Sequence, residues 1–206
     1  KDVYGIKTGV LWPCVDSSEF PEDDSNDVEN PYNGNDEYIV NIGKASWVKG
    51  TWETIKMVAG TKLGVVHVGG GEEKDLKKLK EYADHLDVNL WISPRLSSPE
   101  LVSLMRNSRA IVSMAYGEAF GLTPIEAFAV GTPAIFVNEG GFRDTIKDGV
   151  SGKLLDRNNL TGWHIALQEA SKKDIRERWT KEGRRRIAEL DLSPENHARK
   201  IKEILS

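Results

Sequence analysis

AIVSMAYGEAFGLTPIEAFAVGTPAIFV, residues Ala110–Val137, reads as strand, loop, helix and strand in a single pass. Ala110–Met114 and Pro133–Val137 are short apolar runs of the kind that fill a parallel sheet covered on both faces. Pro124–Val130 between them reads as helix, with Thr123–Pro124 as an N-cap followed by proline in the first helical position. Gly131 stands where a helix end wants a left-handed residue.

The same alternation extends to both sides. Upstream, candidate strands Tyr38–Ile42, Leu63–Val68 and Val88–Ile92 alternate with candidate helices Trp52–Ala59, Glu72–Leu86 and Pro99–Asn107, the last with Ser98 as N-cap. Downstream follow a helix over Phe142–Lys147 and a weak strand at Lys153–Leu155. After Asp156 the pattern is helical only: Leu160–Ala170, Asp174–Leu190 and Pro194–Leu205. Repeated β-α order implies an α/β, Rossmann-like parallel sheet flanked by helices, with extra C-terminal helices. The 206 residues allow one large domain or two small ones.

Ahead of this pattern lies a different composition. From Thr8 to Gly43 there is no Lys or Arg, but nine acids occur: Asp16, Glu19, Glu22, Asp23, Asp24, Asp27, Glu29, Asp36 and Glu37. Apart from a short apolar strand at Thr8–Trp12, we read residues 1–37 as an interdomain segment with an acidic arm, and 38–206 as the domain proper. The formal net charge of −4 therefore hides a remainder, outside Thr8–Gly43, in which 23 acids face 28 bases, a balance of +5 that admits anionic ligands.

Ligands of such sheets sit beyond the carboxyl ends of the strands. The loop Glu118–Glu126 is the most informative there. Gly121 permits a tight turn close to a ligand. Leu122 and Thr123 then offer N–H groups at a helix start, which suits a phosphate. Glu118 and Glu126 flank that point and, ionised, accept hydrogen bonds from sugar or ribose hydroxyls. The same letters fit a second reading of Glu126, since Thr123–Glu126 is also an S/T-x-x-E capping box. In Gly43–Gly50, Lys44 and Lys49 leave the first domain strand as point charges for a phosphate. Gly69-Gly-Gly-Glu-Glu73 lacks the third glycine of a dinucleotide fingerprint and puts acids where a phosphate would sit, which argues against a nicotinamide site.

Taken together, Glu118–Glu126, the run Ala127–Gly141, Asp148–Gly152 and Gly43-Lys44…Lys49-Gly50 resemble the donor-binding domain of retaining GT-B glycosyltransferases of family four, whose hallmark is an E-x7-E pair followed by A-x-x-x-G-x-P and a Gly-Gly turn. Trp12–Phe20 resembles that family's interdomain segment, so the likeness spans about Val10 to Asp156. The resemblance implies that Glu118 binds donor-sugar hydroxyls and that Phe120, Gly121 and Leu122 lie along the sugar and diphosphate. It implies that Thr123 holds the distal phosphate, that Glu126 takes the ribose hydroxyls, and that Lys44 and Lys49 neutralise the departing diphosphate. Arg95 and Leu96 would meet the base. Lys44 stands where the family usually has Arg, which removes bidentate geometry; Pro94 and Met114–Ala115 also depart from its pattern. The detail of Gly121–Ala127 and Asn138–Arg143 is closest to mannosyltransferase-type members, so GDP-mannose is the favoured donor, with UDP-sugars next and no metal required.

The expected function is transfer of a hexose with retention, with an N-terminal domain supplying the sugar or lipid-linked acceptor. The alternatives are a non-catalytic nucleotide-sugar-binding module and a hydrolase using Glu118 and Glu126 as acid and base. A cytoplasmic setting is expected: the longest uncharged stretch, Ala127–Asn138, is far short of the ~20 apolar residues of a membrane span, and no leader opens the chain. Lys1 in place of Met suggests an excised piece of something longer. A single cysteine, Cys14, excludes an internal disulfide framework. The four histidines have no partner at ligand spacing, and Asp23–Asp27 lacks the glycine and glutamate of a calcium loop. There is no nucleic-acid module. The basic helix carrying Lys172, Lys173, Arg176, Arg178, Lys181 and Arg184–Arg186 reads as a solvated face, with peripheral contact to anionic lipid as a second reading.

Overall fold

A computed structural model describes residues 11–15, 20 and 28–205. Six strands, β1 (Tyr38–Ile42), β2 (Gly64–Val68), β3 (Leu90–Ile92), β4 (Ile111–Ser113), β5 (Ala134–Val137) and β6 (Lys153–Leu155), form one parallel sheet in the order β3-β2-β1-β4-β5-β6. Val40 of β1 pairs with Val66 on one side and Ile111 on the other. The central strands are mostly apolar because both faces are covered: Ile39, Val65, Ile111 and Ile135 are fully buried, and the polar Asn41, His67 and Ser113 are buried near the carboxyl ends.

The helices are α1 (Thr51–Val58), α2 (Glu73–His85), α3 (Ser98–Arg106), α4 (Leu122–Val130), α5 (Phe142–Thr145), α6 (Leu160–Glu169), α7 (Lys173–Leu190) and α8 (Pro194–Leu205). On one side α1 packs against α2 and α6; on the other α4 packs against α3 and α7. The fold expected from the sequence is the fold observed.

Three local expectations need correction. Of the strand placed at Thr8–Trp12, residues 8–10 lie outside the described residues, and Leu11 and Trp12 carry no strand. The cap of α3 is Ser97 rather than Ser98, because Ser97 completes a capping box with Glu100, whose carboxylate accepts from the Ser97 N–H at 2.7 Å. Helix α4 begins at Leu122 with Gly121 as N-cap, so Thr123 lies inside the helix and Glu126 in its second turn; no capping box forms there. The end of the acidic segment is also anchored. Tyr32 is buried, its ring 4.4 Å from that of Tyr38, and Tyr38 donates to the Leu104 carbonyl.

The basic helix α7 proves partly structural. Arg176 donates to the carbonyls of Arg106, Ser108 and Arg109, closing the end of α3, and Arg186 donates to those of Asp144 and Thr145 at the end of α5.

Candidate functional site

The strand order reverses direction between β1 and β4, so the loops after these two strands diverge and leave a crevice at their carboxyl ends. The loop after β1 makes a single 3-10 turn, Trp47–Lys49, and re-enters α1 through Gly50. It is fastened to both neighbours. Ala45 N–H donates to the Gly70 carbonyl at 2.8 Å, and the Val48 carbonyl accepts from Tyr116 N–H at 2.8 Å. The outcome is the contact on which the site turns. Lys49 Nζ lies 2.9 Å from Glu118 Oε2, joining residues 69 positions apart. The Glu118 side chain is 25% exposed and that of Lys49 41%, so the pair lies at the rim of the crevice, where solvent partly screens it.

Glu118 is held from behind by the turn after β5. Gly141 N–H donates to the Glu118 carbonyl at 2.7 Å. Gly140 has φ +53° and faces that carbonyl so closely that a Cβ could not fit. Beyond Glu118, Phe120 is buried, and Gly121 (φ +89°) lies against the Phe142 ring, with 2.7 Å left for any Cβ. Leu122 is exposed and Thr123 half-buried at the start of α4. This helix has neither a side-chain cap nor an acid in its first turn. Its free N–H groups and positive dipole end are therefore left for an anion. Glu126 is half-buried on the same helix.

The remaining candidates stand further out. Lys44 is exposed and 4.0 Å from Glu72, which also bonds Lys74 at 2.9 Å. That hydrogen bond first, and then the charges of Lys74 and Lys44, hold the Glu72 carboxyl below its usual range. Arg95 and Leu96 follow β3, two strands from β1. Two adjoining cavities of ≈ 390 and ≈ 570 Å³ share Asp36, Gly60 and Lys62. They open at the opposite, amino end of the strands, so the crevice and not these cavities is the candidate site.

The sequence profile of the glycosyl transferases group 1 matches residues 22–186. This chain belongs to the group 1 glycosyl transferases. It is 32% identical over 151 residues to a D-inositol 3-phosphate glycosyltransferase of Corynebacterium kroppenstedtii, a match covering 67% of this chain and 33% of that protein. In structure it is similar to sucrose-phosphate synthase from Thermosynechococcus elongatus (TM-score 0.82, 19% identity, 95% of this chain and 51% of the other). It is also similar to HepE of Anabaena in complex with UDP-glucose (TM-score 0.68, 19% identity, 82% and 48%). The chain thus spans about a third of that curated relative and about half of these solved ones.

Two side chains of this group 1 glycosyl transferase escaped the sequence reading. Arg157, after β6, and Glu139, after β5, form a two-bond ion pair beneath the Glu118 loop, with Arg157 Nη2 2.8 Å and Nε 3.3 Å from the carboxylate. A usable signal was that both lie just past strand carboxyl ends, where functional side chains collect. Among the described residues no helix is long and apolar enough to cross a membrane, and no three His, Cys, Asp or Glu side chains cluster as metal ligands.

Proposed function

We propose that this chain is the donor-binding half of a retaining GT-B glycosyltransferase, holding a nucleotide diphosphate sugar in the crevice between β1 and β4. The observation that carries this reading is the Lys49–Glu118 pair beside the uncapped start of α4. Cation, carboxylate and free N–H groups sit side by side, in the order that a diphosphate linked to a polyol requires.

On donor binding Glu118 turns from Lys49 to the sugar hydroxyls, and Lys49 turns to the diphosphate, so each charge exchanges one partner for another. Lys44 approaches the same phosphates from the rim. Leu122 and Thr123 N–H hold the distal phosphate, with Phe120 and Gly121 along the sugar. Glu126 takes the ribose hydroxyls, and Arg95 and Leu96 face the base. As the anomeric C–O bond breaks, negative charge grows on the diphosphate, and fixed cations with a helix N-terminus are the groups that lower that barrier. No metal is needed for this step. Mannose remains the favoured sugar and GDP the favoured carrier. The UDP-glucose complex of the HepE neighbour equally supports a UDP-sugar. An N-terminal domain brings the sugar or lipid-linked acceptor; because the curated match covers 33% of that relative, its inositol phosphate acceptor does not transfer with it.

Calorimetric titration with GDP, UDP and ADP tests the reading. One of them should bind at or below millimolar concentration; silence from all three overturns it. Lys49→Ala and Glu126→Ala should each weaken binding by about 10- to 100-fold, the range for a lost charge-assisted hydrogen bond. For Glu126→Ala the loss must exceed whatever its melting temperature explains. Joined to its N-terminal partner domain, the protein should transfer sugar. Intact nucleotide binding without transfer would mark a binding module instead.

A further inference from the structure

Arg157 sits on the loop after β6, and its guanidinium reaches three separate pieces of backbone and side chain. It donates to the Met114 carbonyl through Nη1 and to the Ala115 carbonyl through Nη2 at 3.3 Å. It grips both oxygens of Glu139, at 2.8 and 3.3 Å. Its flat face lies 3.5 Å from the centre of the Tyr116 ring. Tyr116 in turn donates its hydroxyl to Glu53 Oε1 at 2.8 Å and its N–H to the Val48 carbonyl.

These contacts close a ring around one residue. From Arg157 one arm runs through Met114, Ala115 and Tyr116 to Glu118. The other runs through Glu139 and Gly140 to Gly141, whose N–H bonds the Glu118 carbonyl. The Arg157 side chain is 13% exposed, and most of its N–H groups are engaged. It is therefore not built to meet a phosphate. A planar fork is also the only cationic side chain that can bridge two carbonyls and a carboxylate while stacking on a ring.

We propose that Arg157 is a positioning residue for Glu118, setting how the carboxylate meets the donor sugar while leaving the nucleotide's own contacts on α4 untouched. This rests on the reading of Glu118 as a sugar ligand. A lost charge-assisted hydrogen bond costs about 10- to 100-fold in affinity, and Glu118 is read as touching the sugar and not the nucleotide, so the effect should be specific to the sugar.

The test compares wild type, Arg157→Met, Arg157→Lys and Glu139→Gln, the last keeping shape while dropping charge in case loss of Arg157 prevents folding. UDP and UDP-glucose, and GDP and GDP-mannose, are titrated into each folded variant. Nucleotide affinity should stay within about twofold, while the ratio of sugar-nucleotide to nucleotide affinity falls by about tenfold or more. Lysine should fail to restore it, since an ammonium cannot span the fork's partners. Parallel loss of both affinities, following the melting temperature, would reduce Arg157 to a stability role and overturn the proposal. Amide hydrogen exchange of the ligand-free protein gives a second, independent readout. Residues 117–121 and 140–141 should exchange faster in Arg157→Met, and unchanged protection there also overturns the proposal. If wild type binds none of the four ligands, the donor reading falls by itself, and the exchange result still decides whether Arg157 orders the Glu118 loop.

Discussion

His67 is the penultimate residue of β2, with no exposed surface, and its two ring nitrogens meet different partners. Nε2 is 3.0 Å from the Gly70 carbonyl, and Nδ1 is 3.3 Å from Asn41 Oδ1, while Asn41 Nδ2 donates to the Val112 carbonyl. Both partners are acceptor oxygens, and a neutral ring carries a single N–H between them. Gly70 also accepts from Ala45, so this buried chain helps to hold the loop that carries Lys44. Burial pushes the imidazole below its usual value, and the Gly70 bond only partly opposes this. The unfolded chain therefore takes up a proton more readily than the folded one, and the stabilising contribution is complete above about pH 6.5. It is lost as pH falls through that value toward the lower folded-state one. Melting temperature should therefore decline between pH 7.5 and 5.5, and His67→Gln should flatten that decline. Equal slopes for the two proteins would show that His67 is not a source of the acid sensitivity. A strand histidine is easily read from sequence as core; that it braces a functional loop depends on the Asn41↔His67 register, which only the folded sheet supplies.

At the scale of elements, α4 and α7 approach so closely that position 183 must be glycine. A Cβ there would come within 2.7 Å of the Phe128 ring, itself fully buried and without room to retreat. Gly→Ala inside a helix ordinarily stabilises by about 1 kcal/mol, but overpacking a full core costs about 1–3 kcal/mol. Gly183→Ala should therefore lower the melting temperature, by roughly 2–4 °C per kcal/mol lost in a domain of this size. A rise would mean that the two helices can part without penalty. Strands and helices were legible because their periods and β-branched runs agree with a two-sided parallel sheet. Their starts were less so. Thr123-Pro124 carries the letters of a helix start, but Gly121 in the left-handed region lets the chain turn into the helix earlier. This removed the capping-box reading of Glu126. Lys49 and Glu118 were each legible as site candidates, but their contact was not, and neither was the Arg157 ring: nothing local ties a lysine to a carboxylate 69 residues away, or an arginine after a weak strand to carbonyls 42 and 43 residues away.

Across the whole molecule, the two ends of the described chain meet behind the site. Val15 N–H donates to the Leu192 carbonyl, and His197 Nδ1 lies 2.9 Å from the Trp12 carbonyl, so residues 11–15 lie along the turn between α7 and α8. Trp12 then places its ring 4.7 Å from that of Phe120, which directly precedes the Gly121 cap of α4. The segment before the acidic arm is thus a wall of the crevice as well as a connection. Its packing should be felt at Phe120 specifically and not just as lost area. Trp12→Ala and Phe120→Ala should each lower stability, with a coupling between them of about 0.5–1.5 kcal/mol, as for an aromatic pair in contact. Denaturant unfolding of the two single mutants and the double mutant measures that term. Strict additivity would mean that the rings touch without supporting each other, and that the N-terminal segment can leave the domain without disturbing the entrance to α4.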